Sequence, residues 1–403
     1  MITSQTCMHC DSPNEAGPFC TNCGPVFTAT PAPVVAQVKQ STISWAAVLS
    51  EVSAKVLLVS LVALLPATAA QQPNIQVAQS NIQVAQNFAG ADVGAQINAA
   101  YAALPASGGQ ILVSKSATFH THIAFTTPNK PVLLTGLPGD AVNLTYTGGG
   151  TAITFDYGMN HRMGHGLRDL TLTGPGYSTN TVGIEFGGNH GAEGIEFREF
   201  KIQSFGTNVK MGSHTWLAFF DHGMIRNGQT NVLLPSGLSD AGEQITFNHV
   251  TFADAPYPHT NSVWVQGGGQ EVVFTDCSFD QAQLRIGDGA GGANAAQVVV
   301  KGTHFENPNW AEPDASPYDY VTVDNNPGNL LRVSDCYFMQ DATTNGPGEF
   351  MTLNGGVTMI TSTGMYTPYT MRNFAVLRNN AKVMEFGFYD LSSNITGQRY
   401  LKE

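Results

Sequence analysis

Residues 272–279 read VVFTDCSF, and this arrangement of residues returns along the second half of the chain. Its order is apolar, any, apolar, polar, then Asp or His, small, any and Phe. The clearest copies are Ile245 to Phe252, Val272 to Phe279, Val298 to Phe305 and Leu331 to Phe338. Because apolar residues alternate with other residues inside each copy, the period is that of a β-strand. The sequence therefore predicts one strand for each copy.

The fifth position of the pattern gives the distance between copies. It falls at Asp169, Glu199, His222, His249, Asp276, Gly302, Asp335 and Thr363. The intervals are roughly 23 to 33 residues, which suits one turn of a solenoid for each copy.

A second kind of strand lies between the copies and has two apolar residues around one variable residue. The variable residues are Glu185, Lys210, Leu233, Trp264, Arg285, Thr322 and Thr352, and we call them the outer column. Because successive side chains of a strand point to opposite faces, the apolar pair is predicted to lie in the core and the outer column on the surface. The two strand series together predict an all-β fold, a right-handed parallel β-helix of about eight to ten coils over residues 126–403.

Residues 88–125 have the features of a cap for the open end of such a coil. Asp92 is a suitable helix N-cap, and Ile97, Tyr101 and Leu104 share one helical face. The sequence ADVGAQINAAYAALP is followed by SGGQILV. With the strand repeats, this stretch resembles the pectate-lyase-like superfamily, the pectin lyase fold. The resemblance implies a β-helix with an N-terminal capping helix, and enzymes of this superfamily commonly place catalytic residues on the outside of one sheet and in its loops.

The composition excludes some partners. Charged residues make up 12% of the chain. It contains 18 Lys and Arg and 30 Asp and Glu, which gives a formal net charge of -12. There is no basic stripe to follow a phosphate backbone, so nucleic acid is not expected as a partner.

The first 25 residues contain two Cys-x-x-Cys pairs, Cys7 with Cys10 and Cys20 with Cys23. Nine residues separate the pairs, a spacing that lets four thiolates meet at one zinc ion. We therefore expect a zinc ribbon at residues 1–25 whose metal is structural, because four Cys ligands leave no position for a substrate. Two disulfides are the alternative, although the segment has no other sign of a secreted mini-domain.

Residues 26–54 read as a linker, and residues 55–70 as an export signal or membrane anchor. An apolar run from Val56 to Leu65 precedes the small residues Ala67-Thr68-Ala69, a pattern typical of a signal peptide cleavage site. If the segment is not cleaved, residues 43–70 would hold the chain in a membrane. Both alternatives predict an extracytoplasmic β-helix, with the zinc ribbon on the cytoplasmic side of an uncleaved chain. A buried helix of a soluble protein is the third interpretation.

Residues 71–87 contain a duplication, NIQVAQ at 74–79 and again at 81–86, which we interpret as a spacer. The remaining cysteines, Cys277 and Cys336, occupy the same position of the repeat two coils apart. Their backbones would lie roughly 10 Å apart, too far for a disulfide, so both are expected to be free thiols.

Two carboxylates are candidates for catalysis. Asp319 and Glu349 each stand two residues before an outer-sheet strand, on adjacent coils. Their backbones would be about 5 Å apart, which suits the acid and nucleophile of a retaining glycosidase. Within the superfamily, the polygalacturonases have catalytic motifs in a set order, and this order is broken in the present sequence. The resemblance therefore does not imply polygalacturonase activity. Ordinary surface charge is the other explanation of the two acids.

The insertion before Asp319 contains further acids and aromatic rings. Trp310, Tyr318 and Tyr320, together with Trp264 and Arg285 of the outer column, are the predicted substrate-binding residues for a sugar. Asp314, Asp319 and Asp324 could also hold calcium, since hard oxygen ligands suit that ion.

The sequence leaves two functions open. A β-helix that binds polysaccharide or serves as a surface scaffold is favoured by the broken motif order and the sparse charge. The alternative is a polysaccharide-degrading enzyme, a glycoside hydrolase or polysaccharide lyase that uses carboxylate acid and base chemistry.

The zinc ribbon is directly testable. We expect the full chain to bind zinc through four sulfur ligands, and Cys20→Ser to lose this metal because three thiolates no longer close the coordination sphere. X-ray absorption of the zinc-loaded protein measures the ligands. A zinc content that is unchanged in Cys20→Ser would contradict the assignment.

Overall fold

The computed structural model describes residues 19–20, 24–25, 81–138, 141–158, 164–254, 262–267, 271–288, 295–306, 319–339, 350–366, 373–390 and 399–402. The chain divides into two units, Met1–Gln76 and Val77–Glu403. In the first unit, the described residues form two short antiparallel strands, in which Cys20 is paired with Gly24. The other predicted zinc ligands, the linker and the apolar segment lie outside the described residues. Within the described part, no helix has the length and apolar character needed to cross a bilayer.

Strands dominate the described residues of the second unit, and nearly all of them pair in parallel. Numbered in chain order through both units, the strands are β1 (Phe19–Cys20), β2 (Gly24–Pro25), β3 (Ile82–Val84), β4 (Gly109–Val113), β5 (Ala117–Phe119), β6 (Ile123–Phe125), β7 (Val132–Gly136), β8 (Asn143–Tyr146), β9 (Thr151–Phe155), β10 (His165–Thr173), β11 (Val182–Phe186), β12 (Ala192–Glu193), β13 (Ile195–Gln203), β14 (Thr207–Lys210), β15 (Thr215–Trp216), β16 (Phe219–Arg226), β17 (Thr230–Leu234), β18 (Ile245–Ala253), β19 (Val263–Val265), β20 (Glu271–Thr275), β21 (Ser278–Asp280), β22 (Leu284–Ile286), β23 (Gln297–Lys301), β24 (His304–Glu306), β25 (Val321–Val323), β26 (Leu330–Ser334), β27 (Tyr337–Met339), β28 (Met351–Leu353), β29 (Val357–Tyr366), β30 (Ala375–Leu377), β31 (Lys382–Asp390) and β32 (Tyr400–Lys402).

One face of the solenoid is an 11-stranded parallel sheet that we call the outer sheet. From one end to the other it contains β6, β9, β11, β14, β17, β19, β22, β25, β28, β30 and β32. Every member of the predicted outer column is aligned with the next, from the pair Glu185 and Lys210 to the pair Thr322 and Thr352. The predicted parallel β-helix and the phase of its strands are therefore confirmed.

The remaining long strands, such as β10, β13, β16 and β18, pair in parallel along the other side of each coil, and we call them the bent strands. In later coils the same path is divided into two shorter strands, such as β20 and β21. The fifth residue of the sequence repeat lies at a bend in this path.

The core between the two faces is a stack of aromatic rings. Phe220, Phe247 and Phe274 stack with ring centroids 4.6 and 5.2 Å apart, one ring for each coil. Phe279, Phe305 and Phe338 continue in the same manner at 4.8 and 4.6 Å. Each completely buried ring contributes roughly 2 to 3 kcal/mol of hydrophobic free energy, so the repeated Phe stabilises every interface between coils.

The cap has the predicted form. Helix α1 spans Val93–Ala103, and Asp92 is its N-cap, with its carboxylate accepting a hydrogen bond from the Ala95 N–H at 2.9 Å. Ile97, Tyr101 and Leu104 are all buried. The other carboxylate oxygen of Asp92 accepts hydrogen bonds from the backbone of the coil at His120 and Thr121, at 2.8 and 2.9 Å. Asp92 therefore joins the helix to the first coils.

The second copy of the duplicated segment differs from the expectation of a spacer, and the first copy lies outside the described residues. Residues Ile82–Val84 of its second copy form β3, which pairs in parallel with β4. The alternation of Ile82, Gln83 and Val84 gives this copy the pattern of a strand, and the edge of β4 offers the hydrogen-bond partners.

The two cysteines of the repeat are free and buried, as predicted. Burial raises the pKa of the Cys277 thiol and of the Cys336 thiol to about 12. Both thiols therefore stay protonated and serve as small core residues.

A buried carboxylate tests the phase of the strands. We expect Ile286→Asp to lower the free energy of unfolding by more than about 4 kcal/mol, because Ile286 is completely buried and the new charge would have no partner. Thr352→Asp is the matched control, because Thr352 lies on the surface side of β28 and its replacement should cost less than about 1 kcal/mol. Urea denaturation measures both. An unchanged midpoint for Ile286→Asp would place the strand one residue out of phase.

Candidate functional site

The bend of the bent strands is made by a residue in the left-handed backbone conformation. Asp169, Glu199, His222, His249, Asp276 and Asp335 all have φ between 48° and 55°. These are the residues at the fifth position of the sequence repeat, and we call them the bend column. For the coil after Asp335, the sequence repeat gives Thr363 as the fifth position. The left-handed residue of that coil is Ser362 instead, with φ of 48°. Register explains the shift, because Thr361 is aligned with Ser334 and the next residue therefore corresponds to Asp335.

The left-handed residue changes which side chains reach the surface. In β10 the inward residues Leu167 and Leu170 are separated by two residues, Arg168 and Asp169, that are both partly exposed. In a regular strand only one residue would separate two inward ones. Each coil therefore places two neighbouring polar side chains on the surface at this point, and their alignment from coil to coil makes two parallel columns.

A groove follows the bend across four coils. Its volume is about 610 Å³, and its lining residues are Ala141, Val142, Asp169, Leu170, Thr171, Glu199, Phe200, Lys201, His222, Gly223, Met224 and His249. The strands of successive coils are spaced by about 4.8 Å, so the bend residues from Asp169 to His249 extend over about 14 Å. The groove thus has the length for more than one sugar unit.

A missing side chain shapes the middle of the groove. Gly223 is aligned with Phe200 of the preceding coil. A Cβ atom on Gly223 would lie 2.3 Å from the Phe200 ring. Glycine is thus required at this position because the buried Phe200 ring occupies the space where a side chain would begin.

Asp169 and Glu199 are neighbours in the bend column and both line the groove. Residues on each side of them are paired, Arg168 with Arg198 and Leu170 with Phe200. Their backbones are therefore one coil apart, about 4.8 Å, and their side chains begin on the same surface. Two carboxylates at this spacing can supply the acid and nucleophile of a retaining glycosidase.

The next two coils bring a carboxylate and two imidazoles together. His222 Nδ1 lies 3.0 Å from Asp221 Oδ1, and the His222 and His249 rings are stacked with centroids 4.7 Å apart. Asn248 donates a hydrogen bond of 2.7 Å to the same Asp221 oxygen. Burial raises the pKa of the Asp221 carboxyl, but the hydrogen bonds from Asn248 and His222 outweigh it, so the pKa lies below its ordinary value. Asp221 is therefore ionised at neutral pH.

Basic side chains lie beside these acids. Arg198 pairs with Glu196 on its own strand and is aligned with Asp221 of the next coil. Lys201 lines the groove on the other side of the bend. The groove accordingly contains both signs of charge, an arrangement that can bind sugar hydroxyls as well as a sugar carboxylate.

The sequence predicted seven site residues on and beside the outer sheet, and the structure describes four of them, Trp264, Arg285, Asp319 and Tyr320. Arg285 lies over the Trp264 ring, with its guanidinium carbon 4.9 Å from the ring centroid. The Trp264 indole N–H donates to the Gly287 carbonyl at 2.7 Å. Arg285 also forms two hydrogen bonds with the buried Asp324 carboxylate, at 2.8 and 3.3 Å. One face of the Trp264 ring is thus occupied by an arginine that Asp324 holds in place.

Asp319 lies next to this cluster, and its backbone carbonyl accepts a hydrogen bond of 3.0 Å from Gln283. Its predicted catalytic partner Glu349, and the predicted sugar contacts Trp310 and Tyr318, lie outside the described residues. The pair of acids and the aromatic insertion therefore stay predictions.

The prediction for Tyr320 is wrong. Its side chain is completely buried, and its hydroxyl donates to the Met339 carbonyl at 2.5 Å. The ring packs against Phe350 with centroids 5.0 Å apart, within the aromatic core. Tyr320 immediately precedes β25, where Val321 is also inward, so two consecutive residues face the core and strict alternation failed to predict this.

The calcium prediction gains no support from Asp324. Both oxygens of its carboxylate are bonded to Arg285, which already supplies the opposite charge. Asp314 lies outside the described residues, so the calcium site stays a prediction.

The groove itself was missed in the sequence. The available signal was the fifth position of the repeat, where two acids and two histidines follow one another from Asp169 to His249. The sequence pattern indicates only the spacing of these positions, because a left-handed bend cannot be told from a regular strand residue by its side chain alone.

Comparisons with known proteins agree with the fold. No protein-family model matches the chain. A stretch of 161 residues, 39% of this chain, is 28% identical to a capsule K2-specific depolymerase of Klebsiella phage vB_KpnP_KpV74, and it spans only 26% of that protein. The enzymatically active domain of tailspike protein 4 of bacteriophage CBA120 is similar with a TM-score of 0.55 and 16% identity, over 74% of this chain and 41% of that one.

The pectate lyase Pel9A is similar over 81% of this chain and 80% of its own, with 10% identity and a TM-score of 0.41. The described residues of this chain form a parallel β-helix, and the tailspike domain is similar to it in fold.

Proposed function

We propose that this chain is a polysaccharide-degrading enzyme and that its substrate is a capsule-type polysaccharide. The sequence alone favoured a binding or scaffold module, but the similarity to a capsule depolymerase supports the enzyme. The chain spans about a quarter of that relative, so the proposal concerns the β-helix and not the activity of a longer protein.

The observation that carries the proposal is the pair of carboxylates Asp169 and Glu199 on adjacent coils of one groove. Hydrolysis of a glycosidic bond with retention uses a general acid that protonates the leaving oxygen and a carboxylate about 5 Å away that attacks the sugar. A coil spacing of about 4.8 Å places the two backbones this far apart, and rotation of the side chains can bring the carboxyl groups to the same separation. The parallel pairing of the two strands fixes the points from which the side chains extend before the substrate binds.

The rest of the groove would bind the chain of sugars. The exposed parts of Met224 and Lys201 offer an apolar surface and a positive charge beside the acids. Thr171 and the two histidines add hydrogen-bonding groups for sugar hydroxyls. This combination supports a substrate with both hydroxyl groups and negative charge.

The proposed location of the β-helix is extracytoplasmic, where a capsule-type polysaccharide would be met. The apolar segment at 55–70 and the small residues Ala67-Thr68-Ala69 support this location. The zinc ribbon at residues 1–25 would stay on the cytoplasmic side of an uncleaved chain.

The proposed activity is tested with the purified full chain and a panel of capsular polysaccharides. New reducing ends report hydrolysis, and ultraviolet absorbance of unsaturated products reports elimination by a lyase. We expect Asp169→Asn and Glu199→Gln each to reduce the rate by at least about 100-fold, since each removes an acid or nucleophile from the reaction.

Asp335→Asn is the matched control for these two variants. Asp335 has the same left-handed backbone, with φ of 55°, and belongs to the same bend column, but it does not line the groove. Asn accepts this backbone conformation, so the control should keep the full rate. Equal loss in Asp335→Asn would show that the bend column acts through stability.

The outer sheet is tested in the same assay. Asp319→Asn and Glu349→Gln should leave the rate within about twofold of the wild type if the groove is the active site. If these two variants abolish turnover while Asp169→Asn does not, the site lies on the outer sheet, as the sequence predicted. Binding of polysaccharide without any turnover would instead identify a scaffold, and Trp264→Ala would then weaken binding by removing a stacking surface.

A further inference from the structure

The side chains of Asp221, His222 and His249 form a cluster at one end of the groove, and the acid and nucleophile roles proposed for Asp169 and Glu199 do not involve this cluster. One carboxylate oxygen and one ring nitrogen of each histidine all lie within 4.8 Å of one another. We propose that these three residues bind a divalent transition-metal ion of the zinc type. The proposal does not rest on the proposed enzymatic function.

The backbone holds the three ligands in place. His222 and His249 occupy the same position of the bend column on adjacent coils, with φ of 52° each. The residues on either side of them are paired, Asp221 with Asn248 and Gly223 with Val250. The parallel hydrogen bonds of these strands therefore fix the backbones from which the two imidazoles extend, and the stacked rings differ in orientation by 13°.

The distances suit chelation. Zinc lies about 2.0 to 2.2 Å from nitrogen or carboxylate oxygen ligands, so two ligand atoms of one tetrahedral ion are separated by about 3.3 to 3.6 Å. Asp221 Oδ1 and His222 Nδ1 are 3.0 Å apart, so a shift of a few tenths of an ångström brings them to this separation. Rotation of the exposed His249 side chain is enough to bring its nitrogen from at most 4.8 Å to the same separation.

A second layer of contacts orients the carboxylate. Asn248 donates to Asp221 Oδ1 at 2.7 Å, and it belongs to the same strand as His249. Amide contacts of this kind fix the direction of a metal-ligating carboxylate and support metal affinity. Asn248 thus links the carboxylate of one coil to the imidazole of the next.

The charges around the cluster favour a cation. Glu199 and Asp276 occupy the bend column on the coils before and after the two histidines. Arg198 and Lys201 are the opposing charges: Arg198 is aligned with Asp221 but paired with Glu196, and Lys201 lines the groove. Together with Asp221, the carboxylates Glu196, Glu199 and Asp276 outnumber these two cations, and this negative balance attracts a divalent ion.

The donor set selects the class of metal. Two imidazoles and one carboxylate suit zinc, nickel and copper, whereas calcium and magnesium prefer oxygen ligands alone. Three protein ligands leave coordination positions for water or for a ligand in the groove, since His222 and His249 both line it. This site therefore differs in kind from the four-cysteine site predicted near the N-terminus.

The test is zinc binding by the full chain after the metal has been removed with a chelator. Mass spectrometry of the metal content and calorimetric titration with zinc give the number of sites and their affinities. We expect the wild type to bind one equivalent more than His222→Asn or His249→Asn at the same free zinc concentration. Loss of one of three ligands should weaken this site by at least about 100-fold, since loss of a second-layer partner alone costs 10- to 100-fold. The Cys20→Ser variant should retain the site.

His214→Asn is the matched control. His214 is also left-handed, with φ of 58°, and lies 3.6 Å from the Asp240 carboxylate. Neither residue belongs to a described cluster of three ligands, so His214→Asn should bind as much zinc as the wild type. Asn suits the left-handed backbone in all three variants, and thermal denaturation of the metal-free proteins should show equal midpoints. Zinc binding by His249→Asn that equals that of the wild type would overturn the proposal, as would an equal loss in His214→Asn.

Discussion

The parallel hydrogen bonding between successive coils is the constraint on which the rest of this structure depends. It aligns equivalent residues of neighbouring coils at about 4.8 Å, so that a repeat in the sequence becomes a straight column in space. Inside the solenoid the columns are stacked Phe rings, such as Phe247 on Phe274. On the surface they are rows of polar side chains whose spacing the backbone sets. The same constraint therefore provides both stability and the geometry of a site.

The left-handed residue of the bent strands gives these surface rows their chemical character. Without it, strict alternation would place Leu167 and Leu170 on opposite faces of the strand, and the groove at the bend would have no neighbouring pair of polar columns. With it, Asp169 and Glu199 come to lie one coil apart, and His222 and His249 follow in the same row. A non-glycine residue in this conformation costs free energy, which the regular pairing on both sides of the bend offsets. Carboxylates and imidazoles are thereby placed at one repeated position.

The outer sheet carries a different kind of polar structure. Trp264, Arg285 and Asp324 satisfy one another through a ring contact and a two-pronged ion pair, which fixes the arginine in place. A similar arrangement occurs nearer the cap, where Glu185 accepts hydrogen bonds from Lys210 and Thr151 at 2.8 and 2.9 Å. Such closed networks stabilise a surface and give it specificity, whereas the groove at the bend retains exposed acids and imidazoles. The two faces of the β-helix therefore differ in the chemistry of their polar side chains.

Much of the fold was determined by the sequence alone, because it depends on periodicity. Alternation placed Val263, Val265 and Ile286 in the core, and the spacing of Cys277 and Cys336 ruled out a disulfide; the structure confirms both. The register of the outer column followed from the same period, and so did the capping face of Ile97 and Tyr101. These features depend on which residues are apolar and how far apart they stand.

Only the tertiary structure decided where polar side chains meet. The burial of Tyr320 depends on two consecutive inward residues, and the ion pair of Asp324 joins residues of different coils. The groove depends on a positive φ at Asp169, Glu199 and His222, which no side-chain pattern reveals, since Asp, Glu and His also occur in regular strands. Apolar burial is a property of each residue in its own strand, and the sequence can specify it. A site is a property of several coils at once, and it exists only after their register and bends have been formed.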